Sequence, residues 1–400
     1  MQHVIIIFQE NRTPDNLFHG LPGADIASSG LNSLGQTVPL VPVSITAPYD
    51  LDHSHTGFLR EFNAGQLNGF DKETSSCPTN TCVTKTAYGY VPPAEVQPYF
   101  AMAQQYTFAD RMFQTNEGPS LPAHQYIISG TSIIAPGSTL SVSENPVYGT
   151  NQLNCGGDPL SLVSTIDPSG SEAVKVQPCF DHQTLMDLLD AKGVSWRYYN
   201  SFSGGLWSAP DAIKHLRNGP DWLNVVTPET KILSDVASGN LAGVSWVIPT
   251  GAESDHARST NGTGPSWVAG IVNAVGNSAY WQNTVIFVTW DDWGGWYDHV
   301  VPHQYNSYEL GFRVPLIVIS PYAKHGYVSH VQHEFGSILH FIEKNYGLGT
   351  LGYTDLRADD LSDCFDFTQR PGTYTTLATR VSAQQFMMAP HPNVPPDDDF

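Results

Sequence analysis

Basic residues are scarce in this chain. Eighteen lysines and arginines stand against 38 acids in 400 residues, giving a formal net charge of −20 and a pI near 4.9. Proteins that bind nucleic acid meet its phosphates with stripes of Lys and Arg, so this composition excludes nucleic acid as a partner. Long apolar runs are absent too: no window of about 18 apolar residues occurs, and no transmembrane helix is expected. Three sequence signatures of hydrolases and NTPases are missing, namely GxSxG, HExxH and the Walker A loop, which argues against a lipase elbow, a zincin and a P-loop enzyme. No Rossmann glycine fingerprint follows the first apolar run. Cysteine is limited to five residues, none with CxxC spacing, so a zinc clip is not supported.

What is present points elsewhere. Only 14% of residues are charged, while Gly (35), Pro (29) and Tyr (18) are plentiful. That balance describes a loop-rich exported protein, suited to acidic surroundings. Cys77 with Cys82, and Cys155 with Cys179, lie in polar, loop-like stretches and are read as two local disulfides, with Cys364 as a buried free thiol. The chain starts almost at once on a core strand, so Met1 is expected to replace a removed leader.

Apolar runs at Val4–Phe8, Val194–Tyr199, Gly243–Ile248, Val285–Trp290 and Pro315–Ser320 read as strands. Helical periodicity falls at Ala94–Gln105, Gln183–Ala191, Trp267–Val275 and Phe335–Tyr346. Alternation of the two predicts an α/β fold, a mostly parallel central sheet with helices on both faces. A single catalytic domain over residues 1–388 is expected, with loop-rich insertions at about 20–50 and 131–180 forming lids, and an extended acidic tail at 389–400.

Two segments carry the chemistry. TVIFVTWDDWGGWYDH (284–299) runs an apolar strand into adjacent carboxylates, Asp291 and Asp292. Neighbouring acids repel unless a cation lies between them, and buried parallel strands deliver their last side chains to the sheet edge where α/β sites form. HVIIIFQENRTPDNLF (3–18) does the same with Glu10 and Asn11, whose oxygens would complete a cation site. An oxygen-rich shell favours one divalent ion, Ca2+, Mg2+ or Mn2+, with Zn2+ open because histidines are near. In NEGPSLPAHQYIISG, Ser120 stands where a helix begins; it is either an ordinary capping serine or a nucleophile whose pKa a metal would lower. His53, His256, His299 and His330 offer imidazoles for phosphate contact and leaving-group protonation, best at mildly acidic pH. The aromatic run Trp290, Trp293, Trp296 and Tyr297 reads either as core or as a cage for a choline headgroup.

ENRTPDNLF, GPSLP, TWDDWGGWYDHV and RVPLIVISPYAKHGYVSH occur in an order that resembles the phosphoesterase family of bacterial phospholipases C and AcpA-type acid phosphatases. The resemblance runs from Val4 to about Phe367. It implies an alkaline-phosphatase-like core, metal-dependent hydrolysis of phosphate esters or phospholipid headgroups, and a covalent phosphoserine. Carried over by position, Glu10, Asn11, Ser120, Asp291 and Asp292 match metal positions. Ser120 matches the nucleophile, His53 a phosphate-contacting residue, and His256 and His299 further active-site histidines; His330 matches a substrate contact, and Trp293, within the acidic motif, is expected against substrate as well. Three departures stand out. Ala123 and His124 replace an Asn-Arg pair; DD replaces the DE of many phospholipases C, which with a serine nucleophile leans towards the phosphatases; and the C-terminal modules of some phospholipases C do not follow. The alternatives are an enzyme confined to phospholipid headgroups, a sulfatase-like or phosphonate-directed hydrolase, and a non-catalytic exported binding protein of the same fold.

Overall fold

The computed structural model describes residues 1–77, 86–146, 155, 157–158 and 160–391. Its centre is an eight-stranded sheet built from β1 (His3–Gln9), β2 (Thr107–Ala109), β3 (Trp196–Tyr199), β4 (Val225–Val226), β5 (Val244–Val247), β6 (Thr284–Trp290), β7 (Leu316–Ile319) and β8 (Tyr327–Ser329). The spatial order is β4-β3-β5-β1-β6-β7-β2-β8. Every pairing is parallel except those of β7, which runs against both β6 and β2.

The two central strands are apolar along their length rather than alternating, because both of their faces are covered. All seven residues of β6 are buried, as are Val4 to Gln9 of β1. Side chains of a strand alternate between faces, so Phe287 and Trp290, three residues apart, point opposite ways. Phe287 packs on Phe341 of α6 (Phe335–Tyr346) at 5.2 Å; Trp290 packs on Tyr99 of α1 (Gln97–Gln105) at 5.1 Å. With α6 lie α2 (Ser120–Ser129) and α3 (Leu185–Lys192); with α1 lie α4 (Lys231–Ser238) and α5 (Gly264–Gly276).

The five expected strands and four expected helices are found, with ends shifted by up to three residues. Strands β2, β4 and β8 have two or three residues each and owe their extended form to sheet neighbours. The loop-rich segments carry small sheets: Ser29–Leu31 pairs with Thr37–Pro39, and Ser141–Val142, Val163–Ile166 and Val174–Val176 form a three-stranded antiparallel sheet. Cys155 and Cys179 are bonded and Cys364 is a buried free thiol. Cys82 and most of the acidic tail (392–400) lie outside the described residues.

Glu144 and Glu172, from the loop-rich stretch after α2, meet His55. Its Nδ1 lies 3.2 Å from Glu172, its Nε2 3.6 Å from Glu117, and its backbone N–H donates to Glu144 at 3.1 Å. Burial opposes the imidazolium, but hydrogen bonds to Glu117 and Glu172 outweigh it and push His55 up to about 9. Burial, with Glu172 beside it, pushes Glu144 up to about 8. Burial likewise raises Glu229, next to Glu253, to about 8, and Glu343, next to Asp355, to about 7.

In each case the folded chain keeps a proton that the unfolded chain has already released. Stability is therefore lost as pH rises, between about 4.5 and 8 for the carboxyls and between about 6.5 and 9 for His55. Calorimetry at fixed metal concentration should show Tm falling by several degrees from pH 5 to pH 8.5, with the 131–180 segment becoming easier to cleave by protease. A Tm that rises over this range would contradict the assignment.

Candidate active site

Parallel pairing of β1 with β6 sets the register Gln9 opposite Trp290, so Glu10 and Asn11 leave the sheet beside Asp291 and Asp292. The connection is tight. Asp291 N–H donates to the Gln9 carbonyl at 2.9 Å, and Asn11 N–H donates to Asp291 Oδ1 at 2.9 Å. Asn11 has φ +62°, a left-handed backbone that non-glycine residues adopt at a cost. Gly294 is required next to it: a Cβ there would lie 2.6 Å from the Asn11 carbonyl oxygen. The GG turn thus lets the DD loop fold back on the first strand, with Gly294 N–H donating to Asp292 Oδ1 at 2.7 Å.

Ser120 is the first residue of α2, preceded by Pro119 in extended conformation. Its Oγ sits 3.3 Å from Glu10 Oε2 and 3.4 Å from Asp292 Oδ2. Asn11 Nδ2 donates towards Asp292 (3.1 and 3.2 Å) and towards His53 Nε2 (3.1 Å). His53 Nδ1–H donates to the Leu51 carbonyl at 2.7 Å, which assigns the acceptor role to Nε2 in the neutral ring. The His256 ring centre lies 5.8 Å from that of His53; its Nδ1–H donates to the Ala257 carbonyl at 2.6 Å, and its Nε2 is 4.0 Å from Asp50. All of these side chains are buried.

Glu10, Asp291 and Asp292 converge in a buried space, which is costly without a compensating cation. Asp291 Oδ2 and Asn11 Oδ1 are buried and accept no hydrogen bond among the described residues. These oxygen lone pairs fit a divalent ion. His124 belongs to the same cluster: its Nε2 is 3.1 Å from Glu10 Oε1 and 3.9 Å from Asp291 Oδ2. A shell of oxygen donors alone is therefore not what the fold assembles, since an imidazole nitrogen adjoins it.

Three expected site residues are placed elsewhere. His299, expected as a proton donor, has Nδ1 on Asp15 (2.7 Å) and Nε2 on Asp25 (3.0 Å), beside Arg313 and Asp298. Burial lowers its pKa and the Asp15 bond outweighs that, so the net shift is upward. His330, expected against substrate, is largely exposed and pairs with Asp110 at 2.8 Å. Asp110 also accepts the Asp25 backbone N–H, so the two histidines belong to one charge network that holds the first insertion. Trp293, expected against substrate, is fully buried; its Nε1–H donates to Glu61 at 2.5 Å and its ring meets His53 edge-on at 6.2 Å. Trp290 and Trp296 are buried as well, so these rings are core and no cage is formed by them. In the sequence, His124 stands out only as the residue in place of the related motif's Arg. Its spacing of four from Ser120, one helical turn, was the available signal.

A family model, the phosphoesterase family, matches residues 1–349, and the chain belongs to that family. It is a phosphoric ester hydrolase by class. Phospholipase C B of Mycobacterium tuberculosis is 25% identical over 93% of this chain and 78% of its own length. Hemolytic phospholipase C of Pseudomonas aeruginosa is 24% identical over 92% of this chain and 56% of its own. Among solved structures, a protein in the alkaline phosphatase superfamily from Vibrio parahaemolyticus superposes with a TM-score of 0.39 at 11% identity, covering 89% of this chain and 69% of that one.

If Trp293 supports His53 and Glu61 rather than a headgroup, Trp293→Phe should lower stability in urea by about 1–3 kcal/mol through loss of the donor to buried Glu61. The KM values for a choline ester and a simple phosphate ester should shift by the same factor. A selective loss for the choline ester would place the indole against substrate.

Proposed function

We propose that this chain hydrolyses phosphate esters in two displacements through a phosphoserine on Ser120. The observation carrying this reading is the Ser120 hydroxyl at a helix N-terminus, within 3.3–3.4 Å of carboxylates from both strand ends. Glu10, Asn11 through Oδ1, Asp291 and Asp292 would hold a divalent cation with Ser120 at its edge; bound there, it would offset the carboxylates and draw electron density from the phosphate.

Ser120 Oγ attacks phosphorus as its proton passes to a neighbouring base, and the bond to the ester oxygen breaks in line. His256 supplies the proton that the departing alkoxide needs. With Nδ1 fixed on the Ala257 carbonyl, the donor is Nε2, which lies 4.0 Å from Asp50. His53 contributes differently. Protonation of its Nε2 ends the acceptor bond from Asn11 and leaves an N–H for a phosphate oxygen. Water then opens the phosphoserine, releasing phosphate and restoring the serine proton. Both histidines act as proton donors in this scheme, so turnover should fall as pH rises.

A monoester is the substrate class the site supports best, because the tryptophans that would have read a choline headgroup are core. The second reading, a phospholipid diester, is favoured by the relatives named phospholipase C. The formed disulfide supports an exported, oxidising setting.

Hydrolysis of p-nitrophenyl phosphate beside p-nitrophenyl phosphorylcholine, at pH 4–8 with and without EDTA, separates the two readings. Monoester turnover that EDTA abolishes is expected. Ser120→Ala should lose about a thousandfold or more in kcat, and retention of near-normal activity would sink the phosphoserine mechanism. His256→Gln should slow an alkyl phosphate by about a hundredfold while sparing p-nitrophenyl phosphate, whose leaving group needs no proton. Equal losses on the two esters would remove His256 from the acid role.

A further inference from the structure

The departure GPSLPAH, in which His124 replaces the arginine of the related motif, has a structural consequence. Ser120 and His124 are one turn apart on α2, so both face the ends of β1 and β6. Pro119 and Pro122 fall at the helix start, where a missing N–H breaks no helical bond, and they stiffen this turn. The His124 ring is held edge-on against Phe8 of β1 at 4.7 Å, and Phe335 backs Phe8 at 5.2 Å. Imidazole, serine hydroxyl and the Glu10 carboxylate are thereby fixed by two neighbouring core elements.

We propose that His124 is a nitrogen ligand of the ion at this site, making it selective for a borderline transition ion such as Zn2+ over Mg2+ or Ca2+. The inference rests on the metal-dependent phosphoesterase reading and deepens it. Donor atoms of Glu10, His124 and Asp291 all lie within 4.8 Å of one another, and all three residues are fully buried. Asp291 Oδ2 accepts no hydrogen bond among the described residues and stands 3.9 Å from His124 Nε2, too far for one. An oxygen and a nitrogen facing one space at that separation suit a shared cation, because direct pairing would draw them closer. Imidazole is a good ligand for Zn2+, Cu2+, Fe2+ or Ni2+ and a poorer one for Mg2+, Ca2+ and Mn2+, which prefer oxygen. The rival role for His124 is an imidazolium that neutralises Glu10 and stands in for arginine towards phosphate.

The test is metal binding without substrate. Chelator-stripped full-length chain is titrated calorimetrically with ZnCl2, MnCl2 and MgCl2, as wild type, His124→Gln and Glu10→Gln, with circular dichroism as the check on folding. Wild type should bind one Zn2+ at least about a hundredfold more tightly than Mg2+. His124→Gln should weaken Zn2+ at least about tenfold to a hundredfold and leave Mg2+ within about threefold. Glu10→Gln should weaken all three ions. Zn2+ affinity in folded His124→Gln within about threefold of wild type overturns the proposal, as does a rise in Mg2+ affinity equal to that in Zn2+.

Should His124→Gln fail to fold, pulsed EPR of Cu2+-loaded wild type decides. Nitrogen modulation from a coordinated imidazole is expected, and its absence overturns the proposal. Failure of the functional reading looks different: a chain that binds Zn2+ through His124 yet hydrolyses no ester refutes the activity alone.

Discussion

Three carboxylates and an asparagine share one buried space at the carboxyl ends of two adjacent parallel strands, and much of the structure is arranged around their repulsion. Glu10 and Asn11 leave β1 in the same register at which Asp291 and Asp292 leave β6, because the strands pair from His3 opposite Thr284 to Gln9 opposite Trp290. A slip of one residue would turn these side chains into the sheet's faces. Asn11 is held in a left-handed backbone and Gly294 is excluded from bearing a side chain, both consequences of folding one loop against the other. Asp291 Oδ2 and Asn11 Oδ1, buried and accepting no hydrogen bond among the described residues, are the oxygens that the proposed cation would meet.

Around that centre, the histidines divide by neighbourhood rather than by motif. His53 touches the cluster through Asn11, and His256 packs against His53 with a carboxylate on its far side. His299 and His330 join Asp15, Asp25, Asp110 and Arg313 in a network that anchors the first insertion. Charge-assisted hydrogen bonds from buried Arg313 to Asp298 and to the Asp25 carbonyl tie this segment to the core. The second insertion is held in the same way by His55 and three glutamates. A chain short of lysine and arginine uses the His55 imidazole as a cation, and the stabilisation it brings is lost as pH rises towards about 9.

The tryptophans show the same division. Adjacent aromatics after a catalytic strand look like a binding surface in one dimension. In the fold, Trp290 lies between Tyr99 and Phe18, Trp293 between Phe58, Phe312 and His53, and Trp296 under Arg12. All three rings are buried, and Trp293 meets His53 edge-on at 6.2 Å.

The sequence by itself determined the fold class, the two central strands and the acidic pair at their ends. Long, wholly apolar runs followed abruptly by carboxylates have few structural solutions, and a Gly-Gly turn beside them has fewer. It also carried the family, through four motifs in order. Strands of two or three residues were not legible, since they are extended only because a neighbour supplies hydrogen bonds. Nor was the division of the histidines, because His256 and His299 each follow an Asp in the sequence and differ only in what approaches from distant segments. His124 was visible as a departure, but its place beside Glu10 and Asp291 depends on α2 being docked against Phe8. Contacts between residues more than a hundred positions apart decided these points, and no local pattern encodes them.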